Sequence, residues 1–248
     1  MKLLVTGDWH VDAVTLGISR HDDVRDAAHN MVEVAIDEQV DTFVFLGDLA
    51  DPDGAGATLR AAALAIELAG KLSDEGIRSV WIAGNHDVTN DGTGMTTLSP
   101  LGAVADENIY VFEHSQWVIL HGDLKKNPSD MLHLLCLPYE LPRDVPSDLA
   151  TMLKFVHRDD DRLAFASHLS LRGMIPGEET EEMPRGSEVY LPDEEYAKIP
   201  WVVGLSGHYH KRQVHECPSG LKIHLPGTLA RFRFDEEKHE PGFLLLEV

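Results

Sequence analysis

The alternation of strands and helices in the first third of the chain is the feature that most restricts its fold. Three short apolar segments have the character of buried strands, namely Leu3–Thr6, Thr42–Leu46 and Ser79–Ala83. Between them, the spacing of apolar residues predicts helices over His21–Gln39 and Thr58–Glu75. This order of elements predicts a right-handed parallel βαβαβ unit.

The rest of the chain is rich in predicted strands. They are Tyr110–Glu113, Trp117–Leu120, Leu132–Leu137, Leu163–Ala166 and Trp201–Leu205, followed by three or four antiparallel strands between Val214 and Val248. Residues 121–130 predict a hairpin connection, and the Gly-, Pro- and Glu-rich residues 173–188 predict a mobile surface loop. No linker divides the sequence, so we expect a single α/β domain over residues 1–248.

The composition excludes several classes of protein. Hydrophobic residues make up 43% of the chain, enough for a globular core, but no apolar segment is long enough to span a bilayer. The N-terminus does not resemble a signal peptide, and Cys136 and Cys217 suit two buried thiols, so we expect a cytoplasmic protein without membrane contacts. The net charge of −21 argues against a surface that binds nucleic acid everywhere, but it permits a local basic groove.

Polar residues of metal-binding type follow five of the predicted strands. The segments are Gly7-Asp8-Trp9-His10, Gly47-Asp48, Gly84-Asn85-His86-Asp87, Ser167-His168 and Ser206-Gly207-His208-Tyr209-His210. Ligands of open α/β sheets bind beyond the carboxyl ends of the strands, so we expect these side chains to converge on one edge of the sheet. In Asp8-x-His10 and His208-x-His210, the two outer side chains would point the same way if the backbone is extended, so each pair could bind one side of a metal site.

Asp, Asn and His ligands without cysteine suit manganese, iron, zinc or magnesium rather than a structural zinc–thiolate site. Two cations about 3.5–4 Å apart can clamp an attacking oxygen and the phosphoryl oxygens between them. Each segment alone has an ordinary explanation, since Asp8 or Asp48 could cap a helix and residues 85–87 could form a polar turn. The occurrence of all five segments directly after strands is what indicates a metal centre.

The motifs DWH, GD, GNHD, a lone His and GHYH, in this order, resemble the calcineurin-like metallophosphoesterase superfamily. This resemblance implies an α/β fold in which two mixed β-sheets pack as a sandwich flanked by helices. It also implies two divalent metal ions, with Mn²⁺ as the first choice and Fe, Zn or Mg as alternatives. One ion would be held by Asp8, His10, Asp48 and His210, and the other by Asp48, Asn85, His168 and His208. Asp48 would bridge the two ions, and His86 would act at the leaving oxygen as a catalytic residue without binding metal.

Two further segments resemble the nuclease subunit of the SbcD type, a bacterial relative of the double-strand-break repair nuclease. They are LLCLPY at residues 134–139 and the tail at residues 226–248. His121 also follows a predicted strand, and in some branches of the superfamily such a histidine takes the place assigned here to His168. The SbcD-like context favours His168 as the ligand.

The same resemblance bears on partners. In SbcD-type proteins a capping domain and partner-binding helices follow the phosphoesterase domain, whereas this sequence ends at Val248, directly after the last predicted strand. Together with the net charge, this argues against duplex DNA binding and an SMC-like ATPase partner. SbcD-like nucleases pair through helices in the region of Thr58–Glu75, and the apolar surface of this predicted helix is wider than one sheet face requires. Two explanations are open: a homodimer with this helix at or near the interface, or a second helix or loop of the same chain that covers the excess.

The leading hypothesis is therefore a DNA nuclease of DNA repair, which would hydrolyse phosphodiester bonds through a metal-bridging hydroxide. The alternative is a stand-alone phosphodiesterase that acts on nucleotides or other small phosphate esters. A noncatalytic domain on a decayed phosphoesterase fold would require lost ligands, and every motif residue is present. Four basic residues are candidate phosphate contacts or ordinary surface charges, namely Lys211, Arg212, Arg231 and Arg233.

Overall fold

The computed structural model describes residues 1–50, 55–89, 93–122, 130–139, 162–171, 174, 199–233 and 235–248, without the side chains of residues 55–57 and 235. Most described residues belong to two mixed β-sheets and the helices beside them. The first sheet contains, in spatial order, β13 (Leu244–Glu247), β1 (Lys2–Thr6), β4 (Thr42–Phe45), β5 (Arg78–Ile82) and β6 (Ile109–Phe112). The second contains β11 (Gln213–Glu216), β12 (Lys222–Leu225), β10 (Trp201–Ser206), β9 (Leu163–Ser167), β8 (Met131–Leu137) and β7 (Gln116–His121).

The first sheet contains the predicted βαβαβ unit. Strands β1, β4, β5 and β6 are parallel, and β13 pairs antiparallel with β1 at the edge. Helix α1 (His21–Asp37) connects β1 to β4, and helix α2 (Ala55–Asp74) connects β4 to β5. The strands are apolar on both faces because both faces are covered, as is usual for parallel sheets.

Alternation along the strands divides the core into layers. In β1, Leu4 points into the cluster under the helices, which contains Met31, Leu68 and Trp81. Its neighbours Leu3 and Val5 belong instead to the cluster between the two sheets. A third cluster covers the outer face of the second sheet. The structure is thus a two-sheet sandwich flanked by helices, as the predicted fold class requires.

The sequence was misleading about how the strands are distributed. The carboxyl ends expected on one sheet edge belong to two sheets, because β1, β4 and β5 lie in the first and β9 and β10 in the second. The described residues of the tail contain three strands: β11 pairs antiparallel with β12, and β13 pairs antiparallel with β1, as expected, but β12 also runs parallel to β10, which was not expected. Both differences have one cause, namely that a linear pattern of apolar segments carries no information about which sheet a strand joins.

Some elements were not predicted and some predictions fall outside the described residues. The unpredicted elements are the hairpin β2 (Val14–Thr15) and β3 (Ile18–Ser19), the short helix α3 (Ser99–Gly102) and the 3₁₀ helix Asp235–Lys238. Strands β7 and β8 pair antiparallel, as the hairpin prediction requires, although residues 123–129 are outside the description. The surface loop predicted at residues 173–188 is also outside it, except for Met174.

Helix α2 buries most of its apolar surface within the chain. Leu64 and Leu68 are buried in the core under the first sheet. Leu59 is 69% exposed and Ile66 is 36% exposed, and these are the large apolar side chains that the described part of the helix leaves at the surface. Neither this helix nor any other in the described ranges combines the length and hydrophobicity needed to cross a membrane. Cys136 and Cys217 are both buried free thiols, as expected.

Candidate metal centre

The turns that follow β1 and β4 lie side by side and bring their polar residues together. Backbone hydrogen bonds join Asp8 N–H to the Gly47 carbonyl and Val11 N–H to the Leu49 carbonyl, each at 2.9 Å. The φ angles are positive at Asp8 (52°), His10 (42°) and Asp48 (58°). The expected extended backbone at Asp8-x-His10 is therefore wrong, since tight left-handed turns, rather than strand alternation, direct these side chains inwards.

Asp8, His10 and His210 form the first donor group. One ligand atom from each lies within 4.8 Å of the others, and all three residues are buried. Nε2 of His10 and Nε2 of His210 are 3.1 Å apart. Asp8 Oδ2 is buried and has no hydrogen-bond partner among the residues that the structure describes. Buried carboxylate and imidazole donors aimed at one point suit a divalent cation, so the residues fit one metal ion of the predicted pair.

Asp48, His168 and His208 form a second donor group with the same spacing. His168 Nε2 lies 3.1 Å from Asp48 Oδ2, and Asn85 Oδ1 lies 3.1 Å from both His168 Nε2 and His208 Nδ1. Asp48 Oδ2 also lies 3.9 Å from His10 Nε2 of the first group. Asp48 is therefore between the two groups, where a bridging carboxylate would have to be. All seven predicted ligands converge in this way.

His86 lies beside the same carboxylate. Its backbone N–H donates to Asp48 Oδ1 at 2.9 Å, and its ring packs edge-to-face on His10 with centroids 4.8 Å apart. His86, His10 and Asp48 also form a donor group within 4.8 Å. The histidine is thus at the centre, and its action at the leaving oxygen stays a prediction.

Two buried acids that the sequence reasoning did not assign also lie against the centre. Asp87 accepts hydrogen bonds from the backbone N–H groups of Asp48 (2.8 Å), Leu49 (3.0 Å) and Gly84 (2.8 Å). It therefore ties the turn after β4 to the turn after β5. Glu236 accepts a hydrogen bond from His210 at 2.7 Å. Asp87 stands within the GNHD motif and could have been noticed there, whereas the contact with Glu236 crosses 26 residues and leaves no local signal.

The close packing of the turns explains two of the motif glycines. A Cβ at Gly84 would overlap Asp48 Oδ1 and the Asp48 backbone nitrogen. A Cβ at Gly47, whose φ is +98°, would overlap Nδ1 of His168. Glycine at these positions lets the two strand ends approach closely enough for Asp48 and His168 to meet.

A model of the calcineurin-like phosphoesterase family matches residues 1–212, a range that contains all seven predicted ligands and His86. The chain belongs to the calcineurin-like phosphoesterase family. Metallophosphoesterases of this family use a dinuclear metal site, and the clustered His and Asp residues agree with that. The family also places this protein among hydrolases that act on phosphate esters.

Individual known proteins resemble part of the chain in sequence or most of it in fold. The SbcD subunit of the nuclease SbcCD of Bacillus subtilis (strain 168) is 39% identical over 88 residues, which are 35% of this chain and 22% of that protein. TT1561 of Thermus thermophilus has a similar fold, with a TM-score of 0.56, 12% identity and coverage of 92% of this chain and 89% of that one. A dimetal phosphatase from Danio rerio gives a TM-score of 0.54, 11% identity and coverage of 92% and 87%. At these identities, the two solved structures establish the fold alone.

Several titratable groups of this phosphoesterase centre have strongly shifted pKa values. Burial raises the pKa of Asp8 to about 7. Burial would also raise the pKa of Asp48, but charge on His168 and His86 holds it well below its usual value. Burial would lower the pKa of His168, yet the Asp48 carboxylate raises it to about 9, whereas burial lowers the pKa of His208 to about 3. Near neutral pH, a proton on His168 thus supplies positive charge that a bound cation would replace.

His121 lies away from this phosphoesterase centre. It lines a separate cavity of about 300 Å³ together with Asp41, Glu75 and Arg78. Its backbone carbonyl accepts a hydrogen bond from Arg78 Nη1 at 2.9 Å. His168, rather than His121, therefore accompanies the other predicted ligands.

Proposed function

We propose that this phosphoesterase is a metal-dependent DNA nuclease that hydrolyses phosphodiester bonds with two divalent cations, Mn²⁺ being the first choice. The observation that carries the proposal is a cavity of about 520 Å³ whose lining includes Arg20, Arg231 and Arg233. Phe232 lies between this cavity and the metal centre, with its ring centroid 5.6 Å from His10 and 6.3 Å from His210. A strand that occupied the cavity would thus be separated from His10 and His210 by the Phe232 side chain.

The cavity offers the two kinds of contact that single-stranded nucleic acid requires. Guanidinium groups bind phosphate oxygens through paired hydrogen bonds. Arg20 also pairs with Asp23, and Arg231 donates to the His239 carbonyl, so a bound phosphate would share or replace these contacts. Leu16, which is 81% exposed, and Ile18, which is 67% exposed, lie on the β2–β3 hairpin and line the cavity with Phe232. Exposed apolar side chains of this kind would shield unpaired bases from water, and such contacts do not depend on sequence. The partial match to the SbcCD nuclease subunit supports the same substrate class.

In the proposed reaction, Asp48 would lie between two cations and contact both. The remaining ligands would divide into Asp8, His10 and His210 on one side and Asn85, His168 and His208 on the other. When bound, such a cation pair supplies Lewis-acid charge to the phosphoryl group and activates a water molecule for attack. His86 would protonate or electrostatically stabilise the leaving oxygen, since its backbone is fixed to Asp48 and its ring stands against His10.

The net charge of −21 favours a second candidate, a phosphodiesterase of nucleotides or other small phosphate esters. A strongly acidic surface repels a long polyanion more than it repels a small ester. This candidate would use the same metal centre, but its substrate would be too small to require binding in the arginine-lined cavity.

The two candidates differ in what they hydrolyse with Mn²⁺. The test compares labelled single-stranded DNA, labelled duplex DNA and bis-p-nitrophenyl phosphate, for the parent and for Arg231→Ala with Arg233→Ala. The nuclease proposal predicts cleavage of single-stranded DNA, with KM raised in the double variant and hydrolysis of the small ester retained. Each lost phosphate contact should also reduce the salt dependence of DNA binding by about one unit of slope.

Arg25→Ala is the matched control, because Arg25 lies on α1 and pairs with Asp22 and Asp26 rather than lining the cavity. Its DNA cleavage should equal that of the parent. Hydrolysis of the small ester without any DNA cleavage would overturn the nuclease proposal and favour the second candidate.

A further inference from the structure

Glu236 makes a buried hydrogen bond to one of the predicted metal ligands. Its Oε1 lies 2.7 Å from Nδ1 of His210, and the two side chains are 3% and 6% exposed. Glu236 belongs to the 3₁₀ helix Asp235–Lys238, which lies beyond residues 1–212, the range matched by the family model. The tail of the chain therefore reaches back to the centre through this carboxylate.

The second oxygen of the same carboxylate holds the tail in place. Glu236 Oε2 accepts the backbone N–H of Phe232 at 2.7 Å and that of Arg233 at 3.3 Å. Phe232 in turn packs its ring edge-to-face against His10, with centroids 5.6 Å apart. One side chain thus fixes both the imidazole of His210 and the residue that forms the wall beside it.

The chemistry of the pair determines which ring nitrogen of His210 is available. An ionised carboxylate only accepts hydrogen bonds, so Nδ1 of His210 must carry the proton that it shares with Glu236. In the neutral imidazole the lone pair is then on Nε2. That nitrogen is the atom that lies 3.1 Å from Nε2 of His10, inside the first donor group.

Two other predicted ligands have outer contacts of a different kind. Nδ1 of His168 donates to the Leu46 carbonyl at 2.6 Å, and Nε2 of His208 lies 3.2 Å from the Ser170 hydroxyl. Both of these partners are neutral, whereas Glu236 is an acid. A carboxylate behind a ligating histidine fixes its orientation and also increases its basicity as a ligand.

We propose that Glu236 is a positioning residue of the metal centre, which sets the tautomer and ring orientation of His210 for one of the two cations. The inference rests on the proposed role of His210 as a ligand. It gives the C-terminal tail a role in the metal centre that no sequence motif indicates. It also predicts that a substitution of Glu236 changes the affinity for one cation more than the affinity for the other.

The test is calorimetric titration of the metal-free full chain with Mn²⁺, for the parent, Glu236→Ala and Glu236→Gln. Glu236→Ala should weaken one of two Mn²⁺ sites by about 10- to 100-fold and leave the other near the parent affinity. Glu236→Gln, which retains a hydrogen-bond acceptor without the charge, should recover part of that loss. Long-range ¹H–¹⁵N NMR of the metal-free protein should show a proton on Nδ1 of His210 in the parent and Gln variants, and its loss in the Ala variant.

Glu240→Ala is the matched control, since Glu240 is an exposed acid of the same tail. Thermal unfolding of each metal-free variant identifies a merely structural effect. Unchanged affinities in Glu236→Ala would overturn the inference. Equal weakening of both sites, together with a lower melting temperature and no recovery in Glu236→Gln, would also overturn it. A parent chain that binds fewer than two Mn²⁺ would instead refute the metal-site assignment itself.

Discussion

Asp48 and His168 form a buried ion pair, with Oδ2 and Nε2 3.1 Å apart, at the point where the two sheets meet. Asp48 follows strand β4 and His168 follows strand β9, two strands that belong to different sheets and are separated by more than a hundred residues of sequence. Such a pair in a metal-free centre keeps opposite charges together where a cation would otherwise balance the carboxylates.

This ion pair makes the stability of the metal-free protein depend on pH. The pKa of His168 is raised from 6.5 to about 9. The stabilisation that protonated His168 contributes is therefore complete below pH 6.5 and is lost as the pH rises through about 9. Asp8, whose pKa is raised to about 7, is only half ionised at the start of this range, and its remaining ionisation lowers the stability in the same direction. The free energy of unfolding in EDTA should therefore fall between about pH 7 and 9. Urea denaturation across this range measures it.

The control for the pH dependence is His168→Gln, which should have a flatter profile over the same range. Saturating Mn²⁺ should also flatten the profile of the parent, because a bound cation replaces the proton on His168. A metal-free parent whose stability rises from pH 7 to pH 9 would contradict this account of the pair.

His86→Ala separates a catalytic role from a metal-binding one. If His86 acts at the leaving oxygen, the variant should bind two Mn²⁺ and lose about 10²–10⁴-fold in kcat. Metal content by mass spectrometry and turnover of bis-p-nitrophenyl phosphate measure the two quantities. His114→Ala, at an exposed histidine, is the control and should retain both. A fall in metal content in step with activity would make His86 a ligand.

Gly84→Ala should damage the centre through packing alone. The added Cβ would overlap Asp48, so the turn after β5 must move, at a cost of roughly 1–3 kcal/mol in unfolding free energy, and Mn²⁺ affinity should fall with it. Gly70→Ala is the matched control, because no atom lies within 4 Å of a Cβ at that position in α2. It should stabilise the protein by about 0.5–1 kcal/mol. Equal effects of the two substitutions in urea denaturation would refute the packing argument.

The predicted homodimer depends on the two exposed apolar residues of α2. Leu59→Glu with Ile66→Glu should convert a dimer to a monomer without loss of folding, since both side chains lie outside the core. Val214→Glu, at an exposed valine on β11, is the control and should leave the mass unchanged. Light scattering at micromolar concentration measures the mass. A monomeric parent would remove the dimer prediction.

The fold class and the convergence of the motif side chains could be predicted from the sequence, whereas the distribution of the strands between the two sheets could not. Asp8, Asp48 and His168 could be placed because each follows an apolar segment directly, and that relation is local. The sheet that each strand joins could not be predicted, because pairing such as β12 with β10 depends on contacts distant in sequence. Glu236 was missed for the same reason. The positive φ at His10 was missed because no residue pattern around it indicates a left-handed turn.

Anomalous diffraction from a crystal soaked in Mn²⁺ shows whether Asp48 bridges two metal ions. We expect two manganese peaks about 3.5–4 Å apart, with the Asp48 carboxylate in contact with both. The other contacts should divide into Asp8, His10 and His210 at one peak and Asn85, His168 and His208 at the other. A single peak, or two peaks of which Asp48 contacts neither, would contradict the proposed two-metal centre.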